Sequence, residues 1–417
     1  MQFAQTEEAY YAEILRSQEH KFKEMDNLRI AASIRKVLIM NAASTIIFNY
    51  IGIFVNLFIW EKNHSIFDVT WFNLIMFITW SLAFAGGSRL LTKYTTRALI
   101  RTTATCGAIT FILLTTLTLD NRLLWITIIA IPVGIMWGLY AASQNITLTA
   151  IGKGGNFEDY FSYATIIGQT ISIVNPIVFA FIIKWIGYYG SFIMMFIFIT
   201  VLMVVSFFIS PVTLAEEKKP LFQQMRFSTV FSYPAIRWMV PSCLAAGVFL
   251  QFQGLFALIF TFSVSNDKLV IALLNVLYAV SSIIAMVLHR KLTVSSGIWL
   301  KVGMVAISVG FLIALLQHSV FLVISNILTT VGLFYFSTIW NSGQFRIISR
   351  HTSIEQARIL LWREWFLNIS RIAMLVLILF VKDLQGLTFI LLLAFSLGCA
   401  LLVPFFSQKS EEALEAE

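Results

Sequence analysis

The stretch "WREWFLNISRIAMLVLILF", Trp362 to Phe380, sets Arg363, Glu364, Asn368 and Arg371 into a run otherwise suited to lipid. Glu364, Asn368 and Arg371 are spaced i, i+4 and i+7, which brings them to one face of a helix. At 1.5 Å of rise per residue, Glu364 and Arg371 stand about 10 Å apart along the axis, so they bracket Asn368 without pairing directly. A carboxylate in such a place can pair with a cation, exchange a proton, or snorkel to the interface as an anchor, as Arg363 can too. Arg371 is too deep for easy snorkelling. It calls for an anionic substrate group, or for backbone carbonyls and amides around it.

The elements that must hold these residues follow from composition. The chain has 417 residues, 59% of them hydrophobic and 12% charged. Soluble domains carry about 25% charged residues. Apolar runs of about 20 residues, each long enough to cross a bilayer, recur along nearly the whole length. Short alternating segments are absent, so the spans are helices, which satisfy their own backbone groups in lipid, and the fold class is all-α polytopic membrane protein. Cys106, Cys243 and Cys399 lie in apolar segments at no metal-ligand or disulfide spacing. The five histidines are scattered, and Glu158 and Asp159 have no companion histidine, so neither an enzyme nor a bound metal or other cofactor is expected. No Gly-rich phosphate loop is present to support ATP-driven transport.

The spacing predicts twelve spans, from 37–60 through 386–407, divided by the long polar connection 211–236. The expected organisation is an N-terminal arm (1–36), a six-helix bundle (37–210), a linker (211–236), a second six-helix bundle (237–407) and a tail (408–417). With the N-terminus placed in the cytoplasm, 23 of the 29 Lys and Arg fall on the inside and five outside, leaving Arg371 within a span. That bias puts both termini and the linker in the cytoplasm. It also explains the net charge of +8 without nucleic acid. A bacterial plasma membrane and a monomer are the expectation.

Two stretches repeat in order and register. "GLYAASQN" at Gly138 and "GLFYFSTIWN" at Gly332, 194 residues apart, each precede a charged turn and another span. Parallel repeats of six helices are a transporter architecture. The loop "SRLLTKYTTR", Ser88 to Arg97, follows the pattern G-x-x-x-D-R/K-x-G-R-R/K at Lys93 and Arg97, with Ser88, Thr92 and Thr95 in place of its glycines and aspartate. In span five, "GQTISIVNPIVFAF" keeps the proline of an exporter motif as Pro176. On these features the chain resembles the major facilitator superfamily.

The resemblance implies two bundles that rock about a central cavity lined by spans one, four, seven and ten. In those spans the polar residues are Asn49 and Asn56, seven apart and expected on one face; Tyr140 and Gln144; Gln251 and Gln253; and Tyr335, Asn341 and Gln344. Asn368 and Arg371 of span eleven complete the expected substrate cavity. Span eleven of the superfamily packs against span two, which here ends with Arg89. Glu364 then has three open readings: a latch to Arg89, a titrating proton-coupling group, or an interfacial anchor together with Arg363. The expected function is secondary active transport of an organic or amphipathic molecule, anionic if Arg371 holds it. Export or lipid-like translocation is preferred over nutrient uptake, with protons the candidate coupling ion. A sensor or scaffold that kept the fold without transporting is the alternative.

Overall fold

The computed structural model of the chain describes residues 35–91, 93–151, 156–209, 211, 230–292, 294–348, 350–351 and 353–416. The N-terminal arm up to residue 34, Thr92 of the loop motif, and the linker from 212 to 229 lie outside these residues, as do the side chains of Glu158 and Asp159.

The first half begins with α1 (Arg35–Asn63), α2 (Ile66–Leu90) and α3 (Thr96–Thr116). It continues with α4 (Arg122–Ile151) and one long helical run, Asn156–Phe208. Gly187, at φ 75° and ψ 177°, breaks that run into α5 (156–186) and α6 (188–208). A side chain at that φ would be strained, so glycine is the residue that lets the chain reverse there. The second half holds α7 (Pro234–Val264), α8 (Lys268–Lys291), α9 (Ser296–Ala314), α10 (Ser319–Ile348), α11 (Ser353–Ile378) and α12 (Leu387–Ala416). The last helix runs on past the expected span end at 407.

Among the described residues, ten helices are long and apolar enough to cross a membrane, the Gly187-broken run counting as one. The helix outside that set is α11, because of its charges. The outer surface supports the membrane reading: Trp185, Leu387, Leu82 and Phe380 are all more than two-thirds exposed. Soluble monomers avoid broad apolar surfaces of this kind, whereas lipid requires them.

Hydroxyls inside the spans are satisfied locally. Thr103, Thr110 and Thr116 of α3 each donate to the carbonyl four residues back, at 2.8–2.9 Å. Such back-bonding lets a Thr-rich segment sit in lipid. At the turn between α1 and α2, Ser65 caps α2 by accepting from the Asp68 amide at 3.2 Å. Asp68 in turn pairs with Arg122 of α4. The retained basic position Arg97 donates from Nε to the Ile209 carbonyl at 2.6 Å, holding the end of α6 as Arg side chains do at helix C-termini.

Helix contacts sort by chain half. α4 packs on α2 and α3, and α3 on the Asn156–Phe208 run; in the second half α7 packs on α11 and α12, and α9 on α10. α2 and α4 approach closely because Gly134 and Gly138 face α2: a methyl at Gly138 would collide with the Trp80 carbonyl and Ala83. Small residues four apart permit this backbone approach in membranes. Gly332, the repeat partner of Gly138, instead faces Gly303 of α9. Between the halves, α11 packs on α2, and α8 on the Asn156–Phe208 run.

Candidate functional site

Arg363 is the hub of α11. It is 8% exposed and turned into the protein. Its Nε donates to Gln344 Oε1 at 2.5 Å, one terminal nitrogen to Asn341 Oδ1 at 2.6 Å, and the other to Glu364 Oε1 at 2.7 Å. The guanidinium carbon lies 5.0 Å from the Trp340 ring centre. Trp340 donates to Ser242 Oγ at 2.8 Å, and Gln344 Nε2 reaches Cys243 Sγ at 3.4 Å. Residues 340, 341 and 344 of α10 share a face, so one turn of α10 supplies both amide acceptors. A buried guanidinium is tolerable when its fork is filled, as it is here.

This arrangement changes the expected roles. The anchor reading places Arg363 outward in the interface, yet it faces inward, because the α10 amides and Glu364 offer it acceptors that lipid lacks. The latch reading pairs Glu364 with Arg89. Its carboxylate instead meets the neighbouring Arg363, while Arg89 lies in the exposed last turn of α2.

Farther along α11 the character reverses. Asn368 is 1% exposed, and neither its Nδ2 nor its Oδ1 has a hydrogen-bond partner. Arg371 is half-buried and makes no hydrogen bond or ion pair among the described residues. Its guanidinium carbon sits 5.4 Å from the centre of the Phe77 ring of α2. The charged groups within electrostatic reach are Glu364 and Arg363. Two guanidinium groups face one carboxylate, so this part of α11 carries a net positive charge.

From Phe77 an aromatic run crosses the first half. Phe77 stacks on Trp80 at 5.2 Å, and Trp80 meets Trp137 at 5.1 Å. Trp137 meets Phe48 at 4.4 Å, and Phe48 meets Tyr140 at 5.0 Å. The indole nitrogens of Trp80 and Trp137 are buried without partners. At the far end Asn41 Oδ1 accepts from Tyr140 and from Gln144 Nε2, each at 3.1 Å.

The other expected cavity residues separate. Asn49 Oδ1 accepts from Asn175 of α5 at 2.8 Å. Asn56 is 3% exposed, donates to the Gly52 carbonyl at 3.0 Å, and accepts from Asn73 of α2 at 3.0 Å. The two do not share a face because a π turn, Ile51–Val55, lies between them. Its wider i→i+5 ladder breaks the 3.6-residue register on which the expectation rested. Gln251 and Gln253 are both buried, and only two residues apart, so they point to different sides of α7. Gln253 donates to Thr329 of α10 at 3.4 Å. Tyr335 stacks on Trp299 of α9 at 4.6 Å, away from the Arg363 group. A partly open pocket of about 290 Å³ lies within the second half behind Trp340 and Gln344, bordered also by Lys301 and Gln408.

Sequence reasoning missed Phe77 and Trp80. The available signal was the spacing of Asn73, Phe77 and Trp80, i, i+4 and i+7 on one face of α2. It also missed Glu61 of α1 and Lys268 of α8, whose ion pair at 3.4 Å joins the two halves, with Lys268 5.0 Å from the Tyr188 ring centre.

No family model and no curated protein matches this sequence. Solved structures do. A POT family transporter in complex with 5-aminolevulinic acid matches over 90% of this chain and 96% of its own, at TM-score 0.70 and 11% identity. A bacterial homologue of the iron transporter ferroportin, outward-facing, matches over 92% and 99%, at TM-score 0.64 and 15% identity. A nucleoside transporter matches over 91% and 99%, at TM-score 0.63 and 12% identity. At these identities the likeness is one of fold, and the fold is that of the major facilitator transporters.

Proposed function

We propose that the chain is a secondary transporter that moves an organic small molecule by alternating access. The reading takes all twelve helices as spans in two bundles of six. The break at Gly187 makes two spans of the long run, and α11 has 26 residues, or about 39 Å at 1.5 Å each, enough to cross despite its charges. Both termini then lie in the cytoplasm, as the distribution of Lys and Arg asks.

The observation that carries the proposal is Arg371: an unpaired cation on the α2–α11 contact between the halves, beside orphaned polar atoms. An intramembrane charge without a protein partner marks a substrate or ion pathway. Arg363 has the opposite role. Its filled fork fixes α10 to α11, so that the second half moves as a body. Among the described residues no three His, Cys, Asp or Glu cluster to hold a metal ion, which favours an organic substrate over a metal.

The test is flux into proteoliposomes with an imposed pH gradient, screening short peptides, 5-aminolevulinic acid, nucleosides, aromatic acids and ferrous iron. Gradient-dependent movement of an organic compound, lost in Arg371→Ala, is the expected result. No flux for any compound in either direction would leave the sensor or scaffold reading in its place. Glu364→Gln with undiminished gradient-driven flux would remove Glu364 as the coupling group.

A further inference from the structure

We infer that the α2–α11 contact holds a specific subsite for an amphipathic monocarboxylate. Its carboxylate lies on Arg371 with Asn368 beside it, and its apolar body lies on the Phe77, Trp80 and Trp137 rings. This deepens the transporter reading and rests on it for the role of the site, though binding alone does not require transport.

Charge comes first. Among the described residues, Arg363 and Arg371 face one carboxylate, Glu364, and Arg363 already pairs with it at 2.7 Å. One positive charge is left over, on Arg371. A cation within a membrane protein needs an anion or water, and one negative charge neutralises this cluster. A phosphate dianion would leave it negative, beside the Glu364 carboxylate.

Hydrogen bonding points the same way. Among the described residues, the buried unpartnered groups along this run are the Asn368 amide and the indole N–H groups of Trp80 and Trp137, and the half-buried Arg371 guanidinium makes no hydrogen bond. All but the Asn368 oxygen are donors. Buried polar atoms without partners are rare in folded proteins and cost about 1–3 kcal/mol each, so the two Asn368 amide atoms and the two indole nitrogens together mark an unfilled site. A ligand rich in acceptors satisfies them, and a carboxylate suits the planar fork of arginine. The Asn368 oxygen accepts one ligand N–H or O–H.

Shape fixes the remainder. Arg371 lies over Phe77 at 5.4 Å, and the Phe77–Trp80–Trp137 contacts follow at 5.2 and 5.1 Å. The anion site therefore opens directly onto aromatic surface. A flat apolar body attached to the carboxylate would stack there. A small inorganic anion would leave the rings and both indole donors unused.

The experiment measures affinity of the full chain, purified in detergent, by quenching of tryptophan fluorescence and independently by calorimetry. The probes are indole-3-acetate, its neutral isostere indole-3-acetamide, acetate and phenylphosphonate. The expected result is that indole-3-acetate binds about tenfold or more tighter than its amide, as a charge-assisted pair predicts. Acetate should bind more weakly than indole-3-acetate. In Arg371→Gln the acid-to-amide preference should fall to about one, and in Arg371→Lys it should persist in part. Trp80→Leu should weaken both indole probes while leaving the preference intact. Equal affinity of wild type for the acid and the amide overturns the proposal, without needing any variant to fold. Tighter binding of phenylphosphonate than of the carboxylates overturns the assignment to monocarboxylates. If carboxylates fail to bind while the proteoliposome screen finds flux of a neutral or cationic compound, the subsite falls and the transporter reading stands.

Discussion

Two arginines eight residues apart on α11 do opposite things, and stability should report the difference. Arg363 is 8% exposed with its fork filled by Gln344, Asn341 and Glu364. Replacing it with Gln strands a half-buried carboxylate and two amide oxygens. Breaking a buried pair in this way costs about 3–5 kcal/mol. Arg371 has no such bonds to lose, and removing it removes a cation that the protein leaves uncompensated. Thermal unfolding in detergent should therefore show a large drop for Arg363→Gln and a small drop, or a rise, for Arg371→Gln. Equal drops would mean that Arg371 is bound into the fold as Arg363 is. The sequence distinguished depth but not partners. It flagged Arg371 as the charge hardest to dismiss. It left Glu364 open between latch, coupling group and interfacial anchor with Arg363, because the acceptors that hold Arg363 on α10 lie 19 and 22 residues away along the chain. No local pattern connects residues so separated.

At the scale of elements, the helices were legible and their rotations were not. Apolar length revealed the helices, ten of them among the described residues long and apolar enough to cross a membrane, yet the faces depended on features that hydropathy does not carry. The π turn in α1 sends Asn49 to α5 and Asn56 to α2. Glycines set how near each helix comes. At Gly247 of α7, a methyl would collide with Ser370 Oγ and the Leu367 carbonyl of α11. Overpacking of this kind costs about 1–3 kcal/mol, so Gly247→Ala should lower the unfolding temperature. Gly254→Ala, where a methyl meets nothing within 4 Å, should leave it unchanged or higher in the same helix. Between the halves, Glu61 pairs with Lys268 at 3.4 Å, at the end of the helices opposite Glu364 and Arg89. Both side chains are about one-quarter to one-third exposed, so solvent screens the pair. A double-mutant cycle on unfolding temperature, with Glu61→Gln and Lys268→Gln, should yield a coupling of about 0.5–1 kcal/mol. Additive effects would show that the pair does not hold the halves together.

For the whole molecule, orientation in the bilayer is the property on which every functional statement depends. It follows from charge placement more than from packing. Glu61, Lys62, Asp120, Arg122 and Lys268 gather at the end where α1 meets α2, α3 meets α4 and α7 meets α8. There acids and bases nearly balance. Arg89, Lys93, Arg97, Arg101, Arg290, Lys291, Arg346 and Arg350 gather at the other end, where the basic residues predominate. Translocation machinery retains Lys and Arg on the cytoplasmic side. In the orientation proposed above the first end is outside, and with the proposed rocking of the halves Arg371 would be reached from one side or the other. With Cys106, Cys243 and Cys399 changed to Ser, single cysteines at Asn121 and Gln408 report the two ends. A membrane-impermeant maleimide added to intact cells should label Asn121→Cys, and should reach Gln408→Cys only after the membrane is opened. The reverse pattern would place both termini outside. It would put the Glu61–Lys268 contact on the cytoplasmic side, while leaving the chemistry of Arg371 unchanged.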